Sequence, residues 1–236
     1  MIAISPLVAE ELEKTHRVPF SKIRIIFNAI NIPEYRKRIL SHNPSEIRRR
    51  LGIGEGAFVI GSVSRLVRDK GHEYLVESVA SLKKKHAGIF LLLVGDGRER
   101  KRLEALIRRR GLEKQSALIP STPDTSELLS VMDVFAHPAT FREGFGLAML
   151  EAMVAKVPVV ATNVWAINSI IRNHVNGFLV EPKNARELEN ALKFILENPE
   201  AAGAIAKNAY ETACQAYSIE RFADELETVY KEVVDR

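Results

Sequence analysis

Cysteine is almost absent. Of 236 residues only Cys214 carries a thiol, which excludes an internal disulfide framework and a cysteine-built metal cluster. Asp-x-Asp pairs are missing, and the six histidines are scattered without ligand spacing, so no protein-held metal is expected. No apolar run reaches membrane-spanning length; the longest, such as Ile89–Val94, are strand-sized. The opening residues, Met1 to Pro6, lack the basic start and long apolar centre of a secretory signal, which makes a cytoplasmic protein the expectation. Two catalytic signatures are also missing. No G-x-x-x-x-G-K exists to form the phosphate loop of an ordinary NTPase, and no G-x-S-x-G to form a serine hydrolase elbow. Neither internal repeats nor low-complexity tracts occur.

What is present suits a globular chain. A hydrophobic fraction of 46% and a charged fraction of 27% are enough to build and solvate a core. The length admits one large domain or two small ones. Net charge is +4, and the positive charge is clumped at Arg48–Arg50, Lys83–Lys85 and Arg98–Arg110. In the last clump Leu103, Leu106 and Ile107 recur at helical spacing, so most of its charge reads as a solvated helix face. No aromatic residues interleave with the clumps, which argues against nucleic acid and leaves peripheral contact with an anionic membrane open.

In chain order, Ile2–Ile4 reads as a short strand, Ser5 as the cap of a helix over Pro6–His16, and Ile23–Phe27 as a second strand. An Asn28-Ala29-Ile30-Asn31 turn leads into a charged stretch to about Glu55, broken by Pro44, Gly52 and Gly54. It reads as a linker with one short helix, and the chain divides there: residues 1–40, then 41–216, then a last helix within 217–236. From Ala57 strands and helices alternate. The strands Ala57–Val63, Ile89–Val94, Ser116–Ile119, Val134–Ala136, Val157–Ala161 and Gly177–Val180 are continuous apolar runs. Runs of that kind belong to a parallel sheet covered on both faces, hence a doubly wound α/β fold. After Val180 the chain is helical, ending in Ile219–Val234, whose Phe222, Leu226, Val229 and Tyr230 form an apolar stripe in need of a partner.

Ligands of such sheets bind outside the carboxyl ends of the strands. On that rim stand Arg65 and Lys70, the turn at Gly95, and the segment from His137 into FREGFGLAMLEAMV. Gly144 and Gly146 let the backbone approach a ligand at a helix start, where free N–H groups favour phosphate. Arg65 and Lys70 supply the cations for a diphosphate. Glu143 and Glu151 bracket the helix start and suit hydroxyl recognition, since a carboxylate accepts two hydroxyls at once. Simpler roles exist for both acids: Glu143 as a charge favouring the helix N-terminus, Glu151 as half of a buried ion pair. His72 and His137 also lie on the rim and carry no assignment.

These residues resemble a family. Glu143 and Glu151, with seven residues between them, are similar to the E-x7-E motif of retaining, GT-B-fold glycosyltransferases of family 4, also called glycosyl transferases group 1. Ser64-Arg65-Leu66-Val67 with Lys70-Gly71, Val94 to Gly97, Val157 to Thr162 and Asn176 to Val180 resemble the family's motifs, in the family's order. The resemblance implies a Rossmann-like C-terminal donor-binding domain with a short remnant of an N-terminal acceptor domain. It implies catalytic roles for Glu143, Arg65 and Lys70, the two cations on the donor's diphosphate and Glu143 on its sugar. Backbone amides of Phe145, Gly146 and Leu147 would lie nearby, with Gly95 and Gly144 lining the donor and Glu151 on the ribose. The implied activity is transfer of a sugar from a nucleoside-diphosphate sugar such as a UDP sugar, with retained configuration and neither metal nor cofactor. A binding module without turnover and a nucleotide-sugar epimerase are the alternatives. Expected partners are the nucleotide sugar and either the N-terminal domain or a second copy. The chain departs from the family pattern in three places: most of the N-terminal domain is not represented, Trp165-Ala166-Ile167-Asn168-Ser169 replaces Gly-Gly-x-Pro-Glu, and Pro120 stands near a usual glycine.

Overall fold

A computed structural model describes residues 1–234. Eight strands and eleven α-helices are present among them: β1 (Ile2–Ala3), α1 (Pro6–His16), β2 (Arg24–Ile25), α2 (Ile32–Ser41), α3 (Pro44–Arg50), β3 (Phe58–Val63), α4 (His72–Lys83), β4 (Ile89–Val94), α5 (Arg100–Arg109), β5 (Ser116–Ile119), α6 (Ser126–Leu129), β6 (Val134–His137), α7 (Leu147–Ala155), β7 (Val159–Thr162), α8 (Trp165–Ile170), β8 (Phe178–Val180), α9 (Ala185–Glu197), α10 (Pro199–Ala216) and α11 (Ile219–Val234).

Six strands form one parallel sheet in the order β5-β4-β3-β6-β7-β8. The β4 run IFLLLV is buried throughout, and alternation sends its side chains into two cores. Phe90, Leu92 and Val94 pack with α7 residues such as Met149 and Met153 on one face. Ile89, Leu91 and Leu93 pack with Leu75 and Val79 of α4 and Leu188 and Leu192 of α9 on the other. Consecutive crossovers run outward from β3 in one direction and from β6 in the other, so the loops leaving these neighbours diverge to opposite faces. A crevice opens between them at their carboxyl ends.

The charged stretch before β3 is not a linker with one short helix. It forms two helices, α2 and α3, each started by an asparagine side chain accepting backbone N–H groups, from Asn31 and Asn43, with proline at the first turn. Ile32, Tyr35, Ile39 and Ile47 on them are buried in the α7 core. A charged helix with apolar residues on one face satisfies a linker's composition and a core's packing together, which composition alone does not separate.

The opening residues form a β-α-β unit. Ser5 caps α1 as its spacing predicts, β1 pairs in parallel with β2, and Ala3, Ala9 and Ile23 make a small core. Helix α11 returns to this unit: Arg24 pairs with Glu232 at 3.0 Å, and Arg221 donates to the Phe27 carbonyl at 3.1 Å. No residue of α11 is fully buried; Phe222, Leu226 and Val229 are partly covered and Tyr230 is 60% exposed.

Candidate functional site

Two loops meet at the crevice. After β3 the backbone turns through Ser64–Gly71, and after β6 it runs from Pro138 to Gly146. Thr140 latches one to the other by donating its backbone N–H to the Asp69 carbonyl at 2.8 Å. Gly71 makes the approach feasible: its φ is +66°, and a Cβ there would stand 1.9 Å from the Pro138 carbonyl oxygen. A third loop, after β4, supports the first from behind. Gly95 packs its backbone against Ser64, where a Cβ would meet the carbonyl oxygen at 1.9 Å, while Leu66 donates to Asp96 at 2.8 Å. Gly95 thus shapes the Arg65 loop. The Asp96 carboxylate is taken up by the Ser121 N–H and hydroxyl beyond Pro120, at 2.7 and 2.5 Å.

The latch brings Lys70 and Glu143 into an ion pair through Glu143 Oε2, both side chains largely out of solvent. His137, at the end of β6 and only 4% exposed, contacts the same oxygen through Nε2 at 3.1 Å. Burial alone would raise the Glu143 carboxyl; the His137 hydrogen bond and charge and the Lys70 ammonium outweigh it and hold the pKa down to about 2. Both contacts fall on Oε2, and Oε1 has no hydrogen-bond partner among the described residues. Arg65 is exposed and engages no carboxylate among the described residues. Buried His72, at the start of α4, meets the Ser64 hydroxyl at 3.0 Å. Burial, with the charges of His137 and Lys70, lowers its pKa to about 4, so the ring is neutral at pH 7.

The same loop ends at Gly146, whose φ of +85° turns the chain into α7 without any capping side chain. The N–H groups of Phe145, Gly146 and Leu147 have no acceptor among the described residues. Unpaired amides at a helix start carry partial positive charge, which favours an anion there. Gly144 is open, the nearest atom to a Cβ there being Ile4 Cδ1 at 4.0 Å. Phe145 is buried in an aromatic group with Phe27 and Tyr217, at centroid distances of 6.3 and 5.6 Å, so the opening unit braces the loop.

Glu151, within α7, forms no ion pair among the described residues. Thr125 donates its hydroxyl to Oε2 at 2.7 Å, and Tyr35 sits 2.6 Å from the same hydroxyl. One proton per hydroxyl fixes the direction, from Tyr35 to Thr125 to Glu151. Burial raises the Glu151 pKa, with the Thr125 hydrogen bond and the charge of Arg38 opposing it. His137, Thr125, Tyr35 and His72 are therefore part of the arrangement although their positions in the sequence carry no motif. His137 offered one signal, a polar residue ending an apolar strand at the rim.

No group of three or more His, Cys, Asp or Glu side chains among the described residues is placed to hold a metal ion, and no described helix is long and apolar enough to cross a membrane. The two loops and α7 thus carry one exposed guanidinium, one buried ammonium–carboxylate–imidazole cluster, a row of free amides and, further along the helix, a second carboxylate.

Comparison with known proteins identifies the family. The sequence profile of glycosyl transferases group 1 matches residues 43–212. An uncharacterized glycosyltransferase of Methanocaldococcus jannaschii is 30% identical over 98% of this chain and 59% of its own length. The alpha-D-kanosaminyltransferase of Streptomyces kanamyceticus is 25% identical over 99% and 60%. Among solved structures, the Anabaena protein HepE in complex with UDP-glucose superposes with a TM-score of 0.87 at 28% identity, covering 98% of this chain and 63% of that one. The chain thus spans about 60% of the length of the relatives it matches. Since the profile covers both latched loops, the whole of α7 and every strand of the main sheet, the chain belongs to the glycosyl transferases group 1 family and carries the α/β sheet of its GT-B fold.

Proposed function

We propose that this chain is the donor-binding part of a retaining glycosyltransferase of family 4, which transfers a sugar from a nucleoside-diphosphate sugar without a metal ion. Arg65 and Lys70 hold the diphosphate from one side of the crevice, and the amides of Phe145, Gly146 and Leu147 hold it from the other. Glu143 meets the donor sugar through Oε1, and Glu151 accepts the ribose hydroxyls through its unengaged oxygen. With three N–H donors, the Lys70 ammonium contacts a phosphate while keeping Glu143 in place. Fixed cations and helix amides stabilise the charge that develops on the nucleoside diphosphate as it leaves from the face where the acceptor enters. Residues 1–40 and the helix within 217–236 represent the approach to the N-terminal acceptor domain, and completion of turnover belongs to the two domains together.

The observation that carries this reading is the buried Lys70–Glu143 pair, whose carboxylate stands on the loop that leads into the unpaired amides of α7, while Arg65 of the Lys70 loop is exposed. HepE was solved with UDP-glucose, which supports UDP as the first nucleotide to try. Isothermal calorimetry with UDP and GDP tests the reading. Arg65→Ala and Glu151→Ala are each expected to weaken nucleotide binding about tenfold or more, the loss typical of one charge-assisted contact. Unchanged affinity in both variants rejects it.

A further inference from the structure

Helix α8 stands where the family's glycine-rich turn is expected, and its solvent face is chemically distinctive. Ala166, Ile167 and Ile170 are buried, which leaves Trp165, Asn168 and Ser169, at i, i+3 and i+4, on the open side. Trp165 is the chain's sole tryptophan, and it is 50% exposed. Its ring lies under the Arg142 guanidinium at 5.6 Å, and Arg142 directly precedes Glu143 in the chain. The helix is seated against the site loop itself: Ile167 Cδ1 lies 2.9 Å from where a Cβ of Gly146 would stand. Beside the ring, Asn168 donates to Asn163 at 3.3 Å, and Asn163 donates to Glu181 at 3.4 Å, which orders two side-chain amides at the edge of the patch.

An indole, a guanidinium and ordered amides next to a carboxylate make a surface that matches a pyranose. One face of the sugar ring is lined with C–H groups that rest on the electron-rich indole face, while its rim of hydroxyls needs amide and carboxylate partners. A half-exposed tryptophan has no packing reason to stand at this rim, because the residues that anchor α8 are the three buried aliphatic ones. We infer that Trp165 is the floor of a saccharide-ring subsite beside Glu143, with Arg142 and the Asn163–Asn168 amides at its edges. The inference rests on the nucleotide-sugar reading of the crevice. The ring it receives is either that of the donor or that of a glycoside acceptor.

The lone tryptophan is its own reporter. Emission spectra of the parent chain, and calorimetry of the parent, Trp165→Phe and Trp165→Ala, are recorded with UDP, with UDP-glucose, and with methyl α-glucoside in the presence and absence of UDP. A shift in emission with UDP-glucose beyond that with UDP places the donor sugar on the ring; a shift with methyl glucoside places the acceptor there. In either case Trp165→Ala should weaken the sugar-bearing ligand roughly three- to tenfold while changing UDP affinity less than about twofold, and Trp165→Phe should recover part of the loss. UDP binding without any sugar-dependent emission change overturns the inference and leaves the nucleotide site standing. Equal losses for UDP and UDP-glucose in Trp165→Ala also overturn it, since the ring would then only steady the Arg142 loop. If UDP fails to bind, the nucleotide reading falls, and the response to methyl glucoside alone decides the subsite.

Discussion

Lys70, His137 and Glu143 share one small volume at the rim. Lys70 and His137 both act on Glu143, and both add to the burial that depresses the pKa of His72 behind them. The native pKa of His72, about 4, lies below the ordinary 6.5, so the folded state binds fewer protons than the unfolded chain between those values. Its contribution to stability is therefore fully present above pH 6.5 and lost as pH falls toward 4, by up to about 3 kcal/mol. Glu143 behaves likewise lower down: its contribution is present above its ordinary pKa of 4.5 and lost as pH falls toward about 2. Urea denaturation from pH 7.5 down to about 3 should show a decline whose upper part, above pH 4.5, His72→Asn flattens. Glu143→Gln should leave that upper part in place and remove the part below pH 4.5. A pH slope identical in the parent and His72→Asn would rule out a buried neutral imidazole. Little of this cluster could be read from the sequence. E-x7-E singles out Glu143 and Glu151, but which cation answers which acid depends on a latch between residues 69 and 140 that no local pattern encodes.

Among the elements, glycine separates what the site needs from what the helices tolerate. Gly71 stands at φ +66° with the Pro138 carbonyl where its Cβ would be, and neither the backbone nor the latch can yield. Gly71→Ala should destabilise the chain by about 2 kcal/mol or more and weaken nucleotide binding with it. Gly203 is the opposite case. It lies exposed in α10, and a Cβ added there would meet nothing within 4 Å. Gly203→Ala should stabilise by about 0.5–1 kcal/mol, because alanine loses less backbone entropy in a helix. Thermal denaturation of both variants checks the pair; stabilisation by Gly71→Ala would mean that the two loops are not in contact. Element existence follows well from periodicity here, since continuous apolar runs and capping residues such as Ser5 are local signals. The α2–α3 region defeats the same reasoning. Its apolar positions, Ile32, Tyr35, Ile39 and Ile47, are sparse among charges, and only the α7 surface turns them into a buried face.

For the whole molecule, cohesion is uneven. The central strands are buried on both faces, whereas α11 has no fully buried residue and meets the opening β-α-β unit through an exposed Arg24–Glu232 pair and one hydrogen bond to Phe27. Exposed ion pairs of this kind contribute little. Hydrogen exchange should therefore show α11 amides opening at much lower free energy than those of β3 and β4. Equal protection in α11 and β4 would mean that the apolar stripe of Phe222, Leu226 and Val229 is covered in solution, and sedimentation at several concentrations would then show whether a second copy covers it.

By itself the sequence determined the parallel α/β architecture, the succession of strands in its main sheet and the two carboxylates of E-x7-E, because each is written in short-range periodicity, capping or spacing. Tertiary structure alone decided that Lys70 belongs to Glu143, that His137 joins them, that Thr125 and Tyr35 satisfy Glu151, and that Trp165 stands beside the site. Most of those pairings join residues dozens of positions apart through a sheet order, and a chain specifies such contacts only once its strands have taken their places.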